Sequence, residues 1–87
     1  MQWTVDFSDL ASSNLKSLDK SIKNQILKFA HRLENNPNPR SIGKALVGSR
    51  KGLWRYRVGD YRLLCDIQDN QLVILVVEID HRSKIYR

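Results

Sequence analysis

The hydropathy pattern predicts an α+β domain of order β-α-α-β-β-β, with a helical hairpin packed on one face of a small, twisted antiparallel sheet. Three observations carry this reading. Apolar residues recur at 3 and 4 spacing up to Leu33, they alternate at period two from Leu53 onward, and tight-turn residues separate the alternating runs. The chain has 87 residues, a length that suits one domain spanning 1–87.

Taken in order, Gln2 to Phe7 alternates, with Trp3, Val5 and Phe7 on one side, and reads as a strand. Ser8-Asp9 supplies an N-cap for a first helix carrying Leu10, Leu15 and Leu18. Asp19 caps a second helix from Lys20 to Asn35, whose apolar set Ile22, Ile26, Phe29, Ala30 and Leu33 lies on one face. Its other face, with Lys23, Lys28 and Glu34, reads as solvated. The run Asn35-Asn36-Pro37-Asn38-Pro39 ends the helix, because proline and the residue before it resist helical geometry. Between Arg40 and Gly52 the pattern is weak, with glycines at 43, 48 and 52 marking loops and Lys44-Ala45-Leu46 readable as a short strand or a turn. Leu53 to Val58 and Tyr61 to Gln68 are strands joined by Gly59-Asp60, a type II′ hairpin turn with glycine first. Asp69-Asn70 forms a second tight turn. Gln71 to Ile79 follows as a strand apolar on both faces, which suits a central, covered position.

Composition narrows the function. Fifteen Lys and Arg against nine Asp and Glu give +6, while 41% hydrophobic and 28% charged content is that of a folded domain and not of a basic disordered tail. No apolar run approaches the roughly 20 residues of a membrane helix. The first residues lack a charged region followed by an apolar one, so a cytoplasmic location is expected. One cysteine, Cys65, and two histidines make neither an internal disulfide nor a zinc set, and no metal or cofactor is expected. Cys65 itself reads as an apolar core filler. The partner should be anionic: nucleic acid, ribosome or an acidic protein.

The excess charge is local. Arg40, Lys44, Arg50, Lys51, Arg55, Arg57 and Arg62 share their segment with Asp60 alone, and the rest of the chain is balanced. In the predicted hairpin, Val58 faces Tyr61, Arg57 faces Arg62, Tyr56 faces Leu63 and Arg55 faces Leu64. Arg55, Arg57 and Arg62 then share one sheet face, while Trp54, Tyr56, Val58, Tyr61, Leu63, Cys65 and Ile67 turn toward the helices. Opposed like charges cost roughly 0.2–1 kcal/mol as cross-strand pairs. Such arginines are ordinarily a solvated surface paired with acids, here Asp66 or Asp80. The Arg57–Arg62 opposition instead favours a site for a long anion.

His81, Arg82 and Tyr86 follow the last strand and can fold over its end beside these arginines. The set then holds cations, one group titrating near neutrality and one phenol. RNA cleavage by the 2′-hydroxyl needs such parts: a base, cations for the pentavalent phosphorane, and an acid for the 5′-oxygen. Lys44, Arg50 and Lys51 read as RNA phosphate contacts that position the protein without choosing sequence.

The segment from Leu53 through Trp54-Arg55-Tyr56-Arg57-Val58-Gly59-Asp60-Tyr61-Arg62 to Leu64, with His81-Arg82-Ser83-Lys84-Ile85-Tyr86, resembles the RelE/ParE toxin superfamily. The resemblance covers essentially the full chain. It implies a toxin of a type II toxin–antitoxin system, with the RelE branch favoured: a ribosome-dependent mRNA endonuclease acting in the A site without metal. Its products would be a 2′,3′-cyclic phosphate and a 5′-hydroxyl. The branch's catalytic positions fall on Arg55, Arg57, Arg62, Arg82 and Tyr86. The first two are lysines in some members, and arginine is a poor proton acceptor. The base is therefore His81 or Tyr86, with Arg57 and Arg62 on the phosphate, Arg55 alongside and Arg82 at the leaving side. The implied partners are the ribosome, mRNA and an acidic RelB-like antitoxin covering the basic face, with operator DNA reached only through the antitoxin complex. The alternatives are a ParE-like inhibitor of DNA gyrase without nuclease activity, or a basic RNA-binding module.

Overall fold

The computed structural model describes residues 2–81. Strand β1 (Thr4–Phe7) leads into helix α1 (Asp9–Lys16) and helix α2 (Lys20–Glu34). A two-residue strand β2 (Lys44–Ala45) precedes β3 (Trp54–Val58), β4 (Tyr61–Gln68) and β5 (Val73–His81). Single 3₁₀ turns occupy Pro39–Ile42, Gly48–Arg50 and Asp69–Gln71. The α+β class and the element order are those expected, with the short strand realised as β2.

The sheet is mixed and five-stranded, in the order β1-β5-β4-β3-β2. β1 runs parallel to β5, pairing Thr4 with Val73 through Phe7 with Val76, so the sheet is not antiparallel throughout. A parallel pair needs a long connection, and everything from α1 to β4 serves as one. The β3–β4 register is the one expected, Arg57 opposite Arg62 and Val58 opposite Tyr61. Gly59 has φ of 59° and Asp60 has no positive φ, in keeping with the type II′ turn. The second turn differs. Gln71 belongs to a 3₁₀ turn, and the reversal closes on Leu72 in the left-handed region at φ 55°.

Helices and sheet meet in one core cluster. Ile26 and Leu33 of α2 and Ala11 of α1 pack with Tyr56, Leu63, Cys65, Ile74, Val76 and Ile79. Cys65 is fully buried, as its position mid-strand on this face predicts. Ser8 starts α1, its Oγ accepting from the Ala11 N–H at 3.1 Å. Asp19 occupies the matching position before α2 without a side-chain bond. At the C-terminal end of α2, Glu34 turns back onto the outer strand: its carbonyl accepts from Trp3 N–H at 3.1 Å and its Oε2 from Val5 N–H at 2.9 Å. One β1 amide and the amide just before the strand are thereby occupied.

One irregularity governs the far half of β5. Leu64 pairs with Glu78 and Cys65 with Val76, leaving Val77 as the extra residue of a bulge. Without it, alternation from Ile74 and Val76 would send Glu78 and Asp80 into the core. With it, Ile79 is buried, and the two carboxylates lie on the opposite face. The bulge is held by α1: Ser8 Oγ donates to the Val77 carbonyl at 2.8 Å, and Asn14 Oδ1 accepts from Ile79 N–H at 3.0 Å.

Candidate nucleic-acid interface

The sheet face away from the helices carries Lys44, Arg55 and Arg62 on β2, β3 and β4. Lys44 sits opposite Arg55, which sits opposite Leu64. Arg62 lies between Arg57 on one side and Asp80 on the other. It is only 6% exposed, the one buried charged residue among those described, so this arginine is enclosed and not displayed on an open surface. With Leu46, Val47, Arg50 and Leu64 it lines a cavity of about 250 Å³. Five N–H donors allow a guanidinium to hold a neighbour and still present a fork to a ligand.

The seven cations of the basic segment meet different fates. Arg40 makes a two-pronged pair with Asp69, both contacts at 2.8 Å, and lies over the Trp54 ring at 5.6 Å. That bond raises the Arg40 pKa and holds the Asp69 carboxyl below its ordinary value. Arg50 reaches Glu78 at 3.2 Å. A positioning contact expected to be free is thus tied to β5, because the bulge delivers Glu78 to this face. Asp66 accepts from the Gln68 amide, and among the described residues it is in no ion pair with an arginine. Lys44 and Lys51 are exposed, Arg55 is half-buried, and none of the three is in an ion pair among the described residues.

Arg57 points elsewhere. β2 pairs only with Trp54 and Arg55, so the end of β3 is uncovered at the sheet edge. There Arg57 is exposed and lines a cleft with Gln25, Lys28, Phe29 and Arg32 of α2. The predicted trio is therefore split into Arg62 in the cavity, Arg55 beside it, and Arg57 at the rim. Lys28 lies on the helix face expected to be solvated, and nothing in the sequence singles out Arg32; the one local sign is that Glu34 is the sole acid on that helix.

His81 does not join the arginines. It pairs with Tyr61 on the helical side, their rings meeting edge to face at 5.1 Å. Asn14, Ser17 and Leu18 of α1 line the same hollow. The bulge accounts for this, since it turns the odd-numbered residues of β5 inward. Arg82 and Tyr86 lie outside the described residues. Neither Tyr56 nor Cys65 offers a proton carrier near neutrality, because burial raises each to about 12. Among the described residues no three His, Cys, Asp or Glu side chains cluster as metal donors, and no helix is long and apolar enough to cross a membrane.

A small mixed sheet with a helical hairpin on one face and a basic, partly enclosed opposite face is the architecture of a RelE-like toxin. The family model for the ParE toxin of type II toxin–antitoxin systems matches residues 5–86. The chain belongs to the RelE/ParE superfamily of type II toxins. Toxin RelG of Mycobacterium tuberculosis (strain ATCC 25618 / H37Rv) is 33% identical over 87 residues, all of this chain and 99% of that protein. Among solved structures, the RelBE2 toxin–antitoxin complex of Mycobacterium tuberculosis superposes with TM-score 0.85 at 31% identity, covering 95% of this chain and 94% of that one. The archaeal RelE–RelB complex from Pyrococcus horikoshii OT3 gives 0.75 at 28% identity, with 97% and 99% covered.

Proposed function

We propose that this toxin is a ribosome-dependent mRNA endonuclease that cuts through the substrate's own 2′-hydroxyl. The observation that carries the reading is buried Arg62 lining a cavity on the sheet face, with Arg55 and Arg57 on the adjacent strand. Enclosure matters because a charge–phosphate contact strengthens as water is excluded. In this reading Arg62 and Arg57 flank the scissile phosphate and Arg55 holds a neighbouring one. The 2′-oxygen attacks phosphorus, the 5′-oxygen leaves with a proton, and a 2′,3′-cyclic phosphate remains. Since His81 packs against Tyr61, this reading gives the 2′-hydroxyl proton to Tyr86. Arg82 serves the leaving side. Lys44 and Lys51 contact ribosomal RNA phosphates as positioning groups.

The same basic face suits an acidic antitoxin, and two relatives were solved in complex with RelB proteins. With the Trp3 amide just before β1 and the Val5 amide within it already bonded to Glu34, the β2–β3 edge is the more open place for an added strand.

The test is in vitro translation with purified protein and primer extension on the mRNA. Codon-phased cuts are expected, and Arg62→Ala should slow them 10²–10³-fold, about 2.7–4 kcal/mol. His81→Gln should leave the pH–rate profile near neutrality unchanged; a flattened profile would return the base role to His81. A second reading, gyrase inhibition, draws on the ParE description of the matching family model. Loss of supercoiling with intact mRNA would establish it and sink the nuclease.

A further inference from the structure

We propose that the cleft between α2 and the end of β3 is a second phosphate site, which grips RNA backbone outside the cleavage cavity. It rests on the RNA-directed reading above, shares Arg57 with it, and extends it to Lys28 and Arg32, which that reading does not use. The cleft, about 330 Å³, is lined by Gln25, Lys28, Phe29, Arg32, Arg57 and Val58, with no acid among them. Among the described residues none of its three cations is in an ion pair. Arg32 lies over the Phe29 ring at 5.6 Å, which orients its guanidinium while leaving its N–H donors for a ligand. Gln25 abuts the β3–β4 turn, its Oε1 only 3.7 Å from where a Cβ on Gly59 would stand.

Gathering three cations without an acid costs the folded state self-repulsion, which an anion would relieve. Two forks and one point charge suit phosphodiester oxygens. Continuity decides between occupants. Arg57 lines this cleft while its strand position is paired with Arg62, which lines the sheet-face cavity. One strand of RNA can therefore lie across both sites around the β3 edge. The surplus charge is thus not confined to the segment from Arg40 to Arg62: Asp69 and Glu78 neutralise part of that segment, and the α2 cations replace it.

The experiment uses the full-length toxin and a fluorescent 2′-O-methyl RNA oligonucleotide, which cannot be cut, with anisotropy read from 50 to 200 mM salt. Lys28→Ala/Arg32→Ala should weaken binding and lower the slope of log affinity against log salt by about 1.4, two contacts at roughly 0.7 each. Lys28→Arg/Arg32→Lys, which keeps both charges, should restore the slope and so exclude a folding defect. An unchanged slope in the alanine variant overturns the site, as does a wild-type protein that leaves the oligonucleotide unbound. A loss confined to poly-glutamate binding would assign the cleft to an acidic protein and also overturn it. Codon-phased cleavage with an unchanged slope removes this site alone; a lowered slope with intact mRNA removes the nuclease alone.

Discussion

Tyr56 and Cys65 lie on the helical face of the sheet, both fully buried, and burial keeps each in its neutral form. The ordinary values of 9.0 for the thiol and 10.0 for the phenol rise to about 12 in each case. The unfolded chain releases these protons first, so their contribution is whole below pH 9 and is lost as pH climbs from 9 toward 12. Urea midpoints measured against pH should fall across that window, and Cys65→Ala should delay the onset to about pH 10. Midpoints flat from pH 8 to 12 in the wild type would contradict the assignment. Tyr56 also sets a steric constraint that sequence could not reveal. Its hydroxyl donates to the Pro39 carbonyl at 2.7 Å, and its ring runs under Gly43, where a Cβ would lie 2.8 Å from Cε1. Gly43→Ala should destabilise by about 1–3 kcal/mol in chemical denaturation, through overpacking.

The two helices begin in similar sequence contexts but not with similar bonds. Ser8 closes the first turn of α1 and ties down the β5 bulge, whereas Asp19 makes no side-chain bond. Ser8→Ala should therefore cost about 1–2 kcal/mol, and Asp19→Ala only about 0.5, in equilibrium unfolding. Equal effects would show that the bulge anchor contributes nothing. At this scale most elements were legible. The period of α2, the hairpin register and the Gly59 turn each follow from residues within a few positions of one another. The parallel β1–β5 pair and the bulge at Val77 were not, since they join residues far apart in the chain. Part of the difference between the expected and the observed site is the bulge: it sends His81 to the helical side and hands Glu78 to Arg50.

For the molecule as a whole, the salt dependence of binding measures which cations are available. Lys44→Ala and Lys51→Ala should each lower the salt slope of ribosome binding by roughly 0.7–0.9, as single phosphate contacts do. Arg50→Ala should lower it less, because its charge is already matched by Glu78. Filter binding of labelled toxin to purified ribosomes would check the order; an Arg50 effect equal to that of the lysines would mean the Glu78 pair opens on binding. By itself the sequence determined which stretches are helix or strand, which strand faces are apolar, and that Arg57 opposes Arg62. Those follow from periodicity and local turn geometry. Only the tertiary structure decided how the cations are deployed: Arg62 enclosed, Arg40 and Arg50 neutralised by distant acids, and Arg57 turned to Lys28 and Arg32. Electrostatic partners are chosen across the sheet and between layers, where proximity owes nothing to spacing along the chain.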